Sequence, residues 1–150
     1  YFPHEDQHID LRTVQVHNGP HANSRTFYKG AVRDEAHSIY QGMIQVAHEA
    51  VGTDAYLTNN NLLLNAGARA DSIPGLHIST DDVRCSHGST TGKLEPSQLF
   101  YLESRGYPRQ EEETMLIQGF LEEVVARAPE SIREEIRELV AQRALEEHEE

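Results

Sequence analysis

The feature that most constrains the fold is a weak repeat in the first 94 residues. Apolar positions recur there every 14–18 residues, as from Ile44 to Leu62 to Leu76. This spacing leaves room for a strand and a turn but not for the helix of a βαβ unit. Stacked coils that each leave one apolar face open would bury those faces together, which is typical of a solenoid such as a β-helix. A small antiparallel sandwich or barrel fits the same spacing, and periodicity alone leaves both architectures open.

Short alternating segments indicate that the repeating units are strands. The segments are Val14-x-Val16, Ile44-x-Val46, Leu62-x-Leu64, Leu76-x-Ile78 and Val83-x-Cys85. Residues that favour turns separate them, which predicts short strands with frequent turns. These turn signals are Asn18-Gly19-Pro20, Lys29-Gly30, Gln41-Gly42, Gly52, Asn59-Asn60-Asn61, Ala66-Gly67 and Pro74-Gly75.

The charge distribution divides the chain near residue 94. Residues 95–150 carry 15 acidic and 6 basic side chains, whereas residues 1–94 carry 10 and 7 together with eight of the nine histidines. We therefore expect a β core over residues 1–94 and a helical subdomain over residues 95–150. The fold class is mainly β with α.

Three helices are predicted after the division. The first spans Pro96–Gly106, with proline in its first turn and glycine at its end, and the second spans Glu111–Arg127. Ser131-x-x-Glu134 resembles a capping box for the third. That helix carries one apolar stripe, which would pack against the chain's own body or dock a partner. The stripe consists of Ile132, Ile136, Leu139, Val140 and Ala144.

Bulk composition excludes several classes of function. A net charge of −12 argues against nucleic-acid binding and against an anionic membrane surface. The single cysteine excludes an internal disulfide framework and indicates a reducing compartment, so we expect a cytoplasmic protein. No apolar run approaches the roughly 18–20 residues that span a bilayer. The chain begins at Tyr1-Phe2-Pro3 without an initiator methionine, which suggests a piece of a longer protein.

The pair of residues most informative about function is Cys85 and His87. Side chains alternate along a strand, so Val83, Cys85 and His87 would share one face. A thiolate beside an imidazole can hold iron or zinc. The alternative is that the cysteine is a small buried hydrophobe and that the histidine is structural.

Other motifs lack the spacing that chemistry needs. Residues 88–93 have a phosphate-loop composition with the wrong spacing, and we expect a turn there. The pairs His4 and His8 and His17 and His21 would share a face only on a helix, which their surroundings do not predict. Asp81 and Asp82 would point to opposite faces of a strand, so a coil corner is favoured over an acid–base site.

With these residues in view, the chain resembles the SufB/SufD family of iron–sulfur cluster assembly scaffolds, and its SufD-like members in particular. The ordered matches run from about residue 7 to residue 128, and an asparagine at 59 replaces the cysteine that SufB-like chains carry before the matching apolar strand. The matches are Gln7-His8-x-Asp10, His17-x-x-Pro20, Ser24-Arg25, Tyr28-Lys29-Gly30, Thr53-Asp54-Ala55-Tyr56, Asn59-x-Asn61-Leu62-Leu63-Leu64, Asp81-Asp82-Val83-x-Cys85-Ser86-His87-Gly88, Gly92-x-Leu94, Leu99-Phe100-Tyr101-Leu102-x-Ser104-Arg105-Gly106 and Gly119-Phe120.

The resemblance implies a right-handed parallel β-helix followed by a helical C-terminal unit. It also implies a non-catalytic subunit that pairs with a SufB-like subunit, while a SufC-like ATPase docks on the helices. His87, with Cys85 in the same patch, would lie near a nascent iron–sulfur cluster that is transient and shared with the partner. The implied ATPase-binding residues are Leu99, Phe100, Leu102, Arg105, Gly106, Met115, Leu116, Gly119 and Phe120.

Two further expectations concern assembly. An exposed strand edge would also allow a homodimer. The alternative to a cluster scaffold is a purely structural interaction module in which Cys85 is inert, and thiol reactivity would separate the two.

Overall fold

A computed structural model describes residues 1–145 of the chain. Over these residues, six strands are followed by three helices, which confirms the mainly β class with α. The predicted helical unit extends to residue 150, and its residues 146–150 lie outside the described part. The strands are β1 (His8–His17), β2 (Asn23–Val32), β3 (His37–Val46), β4 (Thr53–Leu63), β5 (Arg69–Ile78) and β6 (Val83–Lys93), and the helices are α1 (Pro96–Ser104), α2 (Arg109–Val125) and α3 (Glu130–Leu145).

Consecutive strands alternate between two three-stranded sheets, ordered β1-β3-β5 and β2-β4-β6. All four strand pairings of the described residues are parallel, so the antiparallel sandwich is wrong. Ile44 faces Leu76 across β3 and β5, whereas Leu62 belongs to the other sheet. The repeat seen in the sequence is therefore the step from one sheet to the other. The structural repeat, from a strand to its paired neighbour, is twice as long.

Several predicted turns lie inside strands, which makes the strands longer than the sequence suggested. Gly42 is within β3, where an added Cβ would approach Leu57 Cδ1 to 2.6 Å and Tyr40 Oη to 2.7 Å. Glycine is needed there for close packing and not for a turn. Residues 88–93, for which the sequence predicts a turn, also lie within β6.

The predicted turns at the asparagine run and at Pro74 also lie inside strands. Asn59 and Asn61 are buried in β4, and Asn61 Nδ2 donates to Asn59 Oδ1 at 2.9 Å. Asn59 Nδ2 in turn donates to Tyr1 Oη at 3.0 Å, and Tyr1 Oη donates to Asn61 Oδ1, so the tyrosine hydroxyl completes this buried amide network. Pro74 lies in β5, an edge strand where the missing N–H is tolerated.

The main core lies between the two sheets. Tyr40 and Ile44 from β3 pack with Leu57 from β4, and all three are fully buried. Their side chains point inward because strand residues alternate between faces. A second cluster joins the sheets to the helices and contains Ala31 from β2, Ile117 and Leu121 from α2 and Ala144 from α3. The predicted domain boundary near residue 94 stays a prediction.

The helices begin and end close to their predicted bounds. Gly106, just beyond α1, has a φ of +88°, which glycine adopts without strain. The predicted capping box is wrong, because α3 begins at Glu130 and Ser131 already lies inside the helix. The apolar stripe of α3 divides, with Val140 and Ala144 packed inward while Ile132 and Leu139 stay exposed. No helix within residues 1–145 is long and apolar enough to cross a bilayer.

An ion pair between α2 and α3 gives a pH-dependent contribution to stability. Arg137 Nη2 donates to Glu122 Oε1 at 2.8 Å, and this hydrogen bond lowers the pKa of Glu122 below 4.5. A lowered folded-state pKa stabilises the fold fully above pH 4.5, and the contribution is lost as the pH falls through that pKa. We expect wild type to melt above Glu122→Gln at pH 7, with the gap closing toward pH 3. An equal gap in melting temperature at both pH values would contradict this.

Candidate functional site

The last strands of the two sheets form one open end of the strand stack. β5 and β6 each pair with a single neighbour, so each leaves one row of backbone groups unpaired within the described sheets. Leu76 and Ile78 of β5 continue the inward rows of Ile44 and Val46, which are buried. In this last layer Leu76 and Ile78 are 38% and 37% exposed. The open end therefore presents apolar side chains that a further layer would cover.

Cys85 and His87 lie in the same terminal layer. In the register of β4 and β6, Cys85 faces Ala55 and His87 faces Leu57. Ala55 and Leu57 point into the core, so the register supports the predicted shared inward face of Cys85 and His87. Cys85 is a free thiol that is partly buried against this core, and His87 is exposed. The thiol packs against the core, while the imidazole is accessible to solvent at the open end.

A charged rim borders Cys85 on the outer face of the second sheet. Arg25 Nη2 donates to Asp54 Oδ1 at 2.9 Å, and Arg84 Nη2 lies 3.8 Å from Asp54 Oδ2. These residues line a shallow depression together with Tyr56, Cys85 and Ser86. Two arginines and one aspartate give this outer face a net positive charge, on the opposite side of β6 from the inward-facing thiol. Arg84 is the more exposed of the two arginines, and its guanidinium is available to an anion or a partner.

The described chain provides few metal ligands in one place. Within residues 1–145, no group of three or more histidine, cysteine, aspartate or glutamate side chains could hold a metal ion. Cys85 and His87 are thus two candidate ligands that need others from elsewhere to complete a coordination sphere. Iron–sulfur clusters are usually held by four cysteine thiolates, with histidine as an occasional substitute.

The predicted helical surface is divided by burial. Phe100 is 70% exposed on α1, and Arg105, Gly106, Met115 and Gly119 are also exposed. Leu102, Leu116 and Phe120 are partly buried, and Leu99 is buried. Leu99 lies in a cleft between α1 and the ends of β4 and β6. The buried Leu99 packs α1 against the strands, while the exposed residues are available for contact with a partner protein.

Comparison with known proteins assigns the family. Residues 1–120 match the family model for the SufBD core domain of SUF system FeS cluster assembly. The chain belongs to this SufBD core-domain family. The match includes Cys85, His87 and all the helical-surface residues predicted above, whereas α3 lies beyond it.

SufBD relatives from several bacteria are similar over most of the chain. The iron–sulfur cluster assembly protein SufD of Escherichia coli K12 is 39% identical over 142 residues, which cover 94% of this chain and 34% of that protein. A SufBD family cluster assembly protein of Mycobacterium leprae is 38% identical over 145 residues, covering 91% and 37%. One from Mycobacterium tuberculosis H37Rv is 37% identical, covering 91% and 36%. The chain spans about a third of the length of these SufBD proteins.

Sequence reasoning missed the charged rim and two aromatic residues. Arg25, Asp54 and Arg84 come from three strands, and the pairing of β2 with β4 and of β4 with β6 brings them together. These three residues are spaced by about 30 residues, which is the full structural repeat. A search for charged residues at that spacing would have predicted the rim. Tyr101 and Tyr107 are exposed next to the predicted helical surface, and the Arg105 guanidinium lies 4.9 Å from the Tyr101 ring centre.

Proposed function

We propose that this chain is a SufD-like scaffold segment for iron–sulfur cluster assembly. It forms a right-handed parallel β-helix whose open end pairs with a SufB-like subunit. The observation that carries the proposal is that Cys85 and His87 lie in the terminal strand layer, next to edges that no strand of residues 1–145 covers and next to the exposed inward side chains of Leu76 and Ile78. A partner strand that adds to such an edge would gain main-chain hydrogen bonds and cover apolar area together.

The cluster is the cargo of the scaffold and is assembled between chains. Cys85 and His87 supply two donors, so a cluster at this end needs ligands from the SufB-like subunit or from sulfide and small thiols. His87 is exposed and free to approach iron, and Arg25 and Arg84 give the outer face of the same strand layer a positive charge that favours the approach of anionic sulfur species to this end. A partial ligand set also suits a cluster that is passed on.

The exposed residues of α1 and α2 are the proposed docking surface for a SufC-like ATPase. Phe100 and Met115 supply apolar contact, and Arg105 supplies a cation beside Tyr101. The ATPase carries the catalysis, and this chain acts as a non-catalytic cytoplasmic subunit. Its helical subdomain, from residue 95 onward, links the ATPase to the β core.

A purely structural role is the second candidate. The packing of the partly buried Cys85 against the core cluster favours this role, because apolar surroundings make a thiol less reactive. The two roles differ in what His87 does. A structural module would tolerate the loss of this exposed imidazole without a change in cluster yield.

The partner surface is tested by a charge placed on the open end. We expect Leu76→Asp to weaken co-purification with a SufB-like subunit by at least about tenfold, because a carboxylate would be desolvated at the contact. Ile73→Asp is the matched control, because Ile73 lies on the same strand, is 57% exposed and points to the opposite face. Equal binding by both variants would contradict the proposed surface. Loss of self-association in Leu76→Asp would show that a second copy uses the same end.

A further inference from the structure

The side chain of Lys29 is almost fully buried between β2 and α2. It is 8% exposed, although lysine is rarely buried without partners. Its Nζ donates to the Phe120 carbonyl oxygen at 2.7 Å and lies 2.9 Å from Glu123 Oε2. The ammonium also lies 4.5 Å from the centre of the Phe120 ring. One cation thus makes three contacts to successive turns of α2.

Further aromatic and charged groups surround the Lys29 ammonium. The Phe27 ring centre lies 5.7 Å from Lys29 Nζ and 4.2 Å from the Arg127 guanidinium, so the ring is bordered by two cations. Arg127 also pairs with Glu123, at 3.4 Å. The hydrogen bond from Lys29 is the main reason that the pKa of Glu123 lies below its ordinary value. Phe27 and Lys29 of β2 therefore hold the carboxyl-terminal half of α2 at several points.

These contacts specify geometry more than they add stability. A buried ion pair costs desolvation energy, and an apolar residue of similar size is often equally stable in its place. Glu123 is half exposed, so it stays solvated if Lys29 is replaced. A methionine at position 29 would fill the same space among apolar neighbours without directional hydrogen bonds. The ammonium instead makes two directional contacts from β2 to α2, with the Phe120 carbonyl and the Glu123 carboxylate.

Lys29 also lies on a row that reaches the terminal strand. It faces Asn60 in β4, and Asn60 faces Thr90 in β6. Thr90 Oγ1 donates to Asn60 Oδ1 at 2.9 Å, which ties β6 to β4 on this row. The strand that carries Cys85 and His87 is therefore linked through two ladder steps to the strand that holds α2.

We propose that Lys29 is a positioning residue that holds α2 at a fixed place on the strand stack, so that a movement imposed on the helices by the docked ATPase is passed to the strands. The inference deepens the proposed function and rests on it. Such coupling requires that the helix and sheet move as one unit. A helix that slides on β2 would absorb the movement instead.

The test compares Lys29→Met with Lys93→Met, which replaces the only other lysine of the chain. In amide hydrogen exchange of the full chain, we expect Lys29→Met to speed exchange of residues 119–125 by at least about tenfold, without affecting the β3 and β4 amides. In the complex with SufB-like and SufC-like subunits, we expect unchanged ATPase affinity and a several-fold lower cluster yield per ATP hydrolysed. Lys93→Met leaves both quantities at wild-type values.

The exchange measurement on the free chain and the yield measurement on the complex distinguish failure of the inference about Lys29 from failure of the proposed ATPase docking. A wild-type chain that binds no SufC-like ATPase would overturn the proposed docking, while the exchange arm would still decide whether Lys29 holds α2. Unchanged exchange in Lys29→Met would overturn the inference. Faster exchange with an unchanged yield per ATP would also overturn it, because Lys29 would then be structural only. If Lys29→Met does not fold, Glu123→Gln removes the same ion pair from its solvent-exposed side and is held to the same outcomes.

Discussion

Replacing Leu57 by alanine is expected to lower the free energy of unfolding by about 2–5 kcal/mol. Leu57 is fully buried in β4 and packs with Tyr40 and Ile44 of β3, so it joins the two sheets. Its Cδ1 also fills the space left by Gly42, where no side chain can enter to close the cavity. Domains of this size are stable by only about 5–15 kcal/mol, so the loss would be a large fraction of the total.

Chemical denaturation of the full chain measures this effect. Leu139→Ala is the matched control, because Leu139 is 54% exposed on α3 and its truncation should change stability by less than about 0.5 kcal/mol. A loss at Leu57 no larger than that at Leu139 would mean that the two sheets do not enclose the described core. An unchanged denaturant slope would show that the variant exposes the same area on unfolding.

His87→Ala is expected to lower the cluster yield of the reconstituted complex by at least about tenfold, a loss of the size seen when metal-site ligands or their supports are removed. The imidazole is exposed in the terminal layer, so its truncation removes little buried contact. We therefore expect the same melting temperature as wild type. Lost yield with kept stability is the pattern that a direct role in assembly predicts.

The control for this variant is His77→Ala. His77 is an exposed histidine in β5, and it faces Gln45 on the opposite side of the sheet from Leu76. Acid-labile sulfide and iron are measured per complex for both variants after reconstitution with SufB-like and SufC-like subunits. A wild-type yield in His87→Ala would remove this residue from assembly and favour the structural module. A loss of similar size in both variants would point to non-specific iron binding by surface histidines.

Some of the fold could be predicted because local chemistry decides it. Pro96 and Gly106 bracket α1 by proline's fixed φ and glycine's access to positive φ, and neither depends on distant residues. The family resemblance was likewise carried by short ordered motifs, and the match over residues 1–120 confirms it. The change from strands to helices followed from the charge and periodicity on each side of residue 94.

The predicted turns at Asn18-Gly19-Pro20, Gly52 and Ala66-Gly67 do lie between strands, whereas the others were wrong because their residues serve a tertiary purpose. Gly42 makes room for Leu57 and Tyr40, and the buried amides of Asn59 and Asn61 pair with each other, so both features lie mid-strand. Local preference for a turn is overridden where a neighbouring strand supplies the hydrogen bonds and the packing. The charged rim could not be predicted from local sequence either, because Arg25, Asp54 and Arg84 come together only through strand register.

Part of the candidate site was accessible to sequence reasoning and part was not. Strand alternation places Cys85 and His87 on one face, which the register supports. Their position in the last layer depends on the number of coils and on which strands are edges. Neither property can be predicted from a local sequence pattern. The burial of Leu99 among otherwise exposed helical-surface residues also depends on how α1 packs on the strand ends.

Hydrogen exchange of the chain, free and bound to a SufB-like subunit, tests the central proposal most directly. Unpaired edge amides of β5 and β6 exchange quickly in the free chain and become protected if a partner adds to that end. We predict protection concentrated in residues 69–93, which include Cys85 and His87, with β1 unchanged. Protection confined to β1 or to the helices, or none at all in a stable complex, would contradict the proposal that the partner and the cluster meet at the open end.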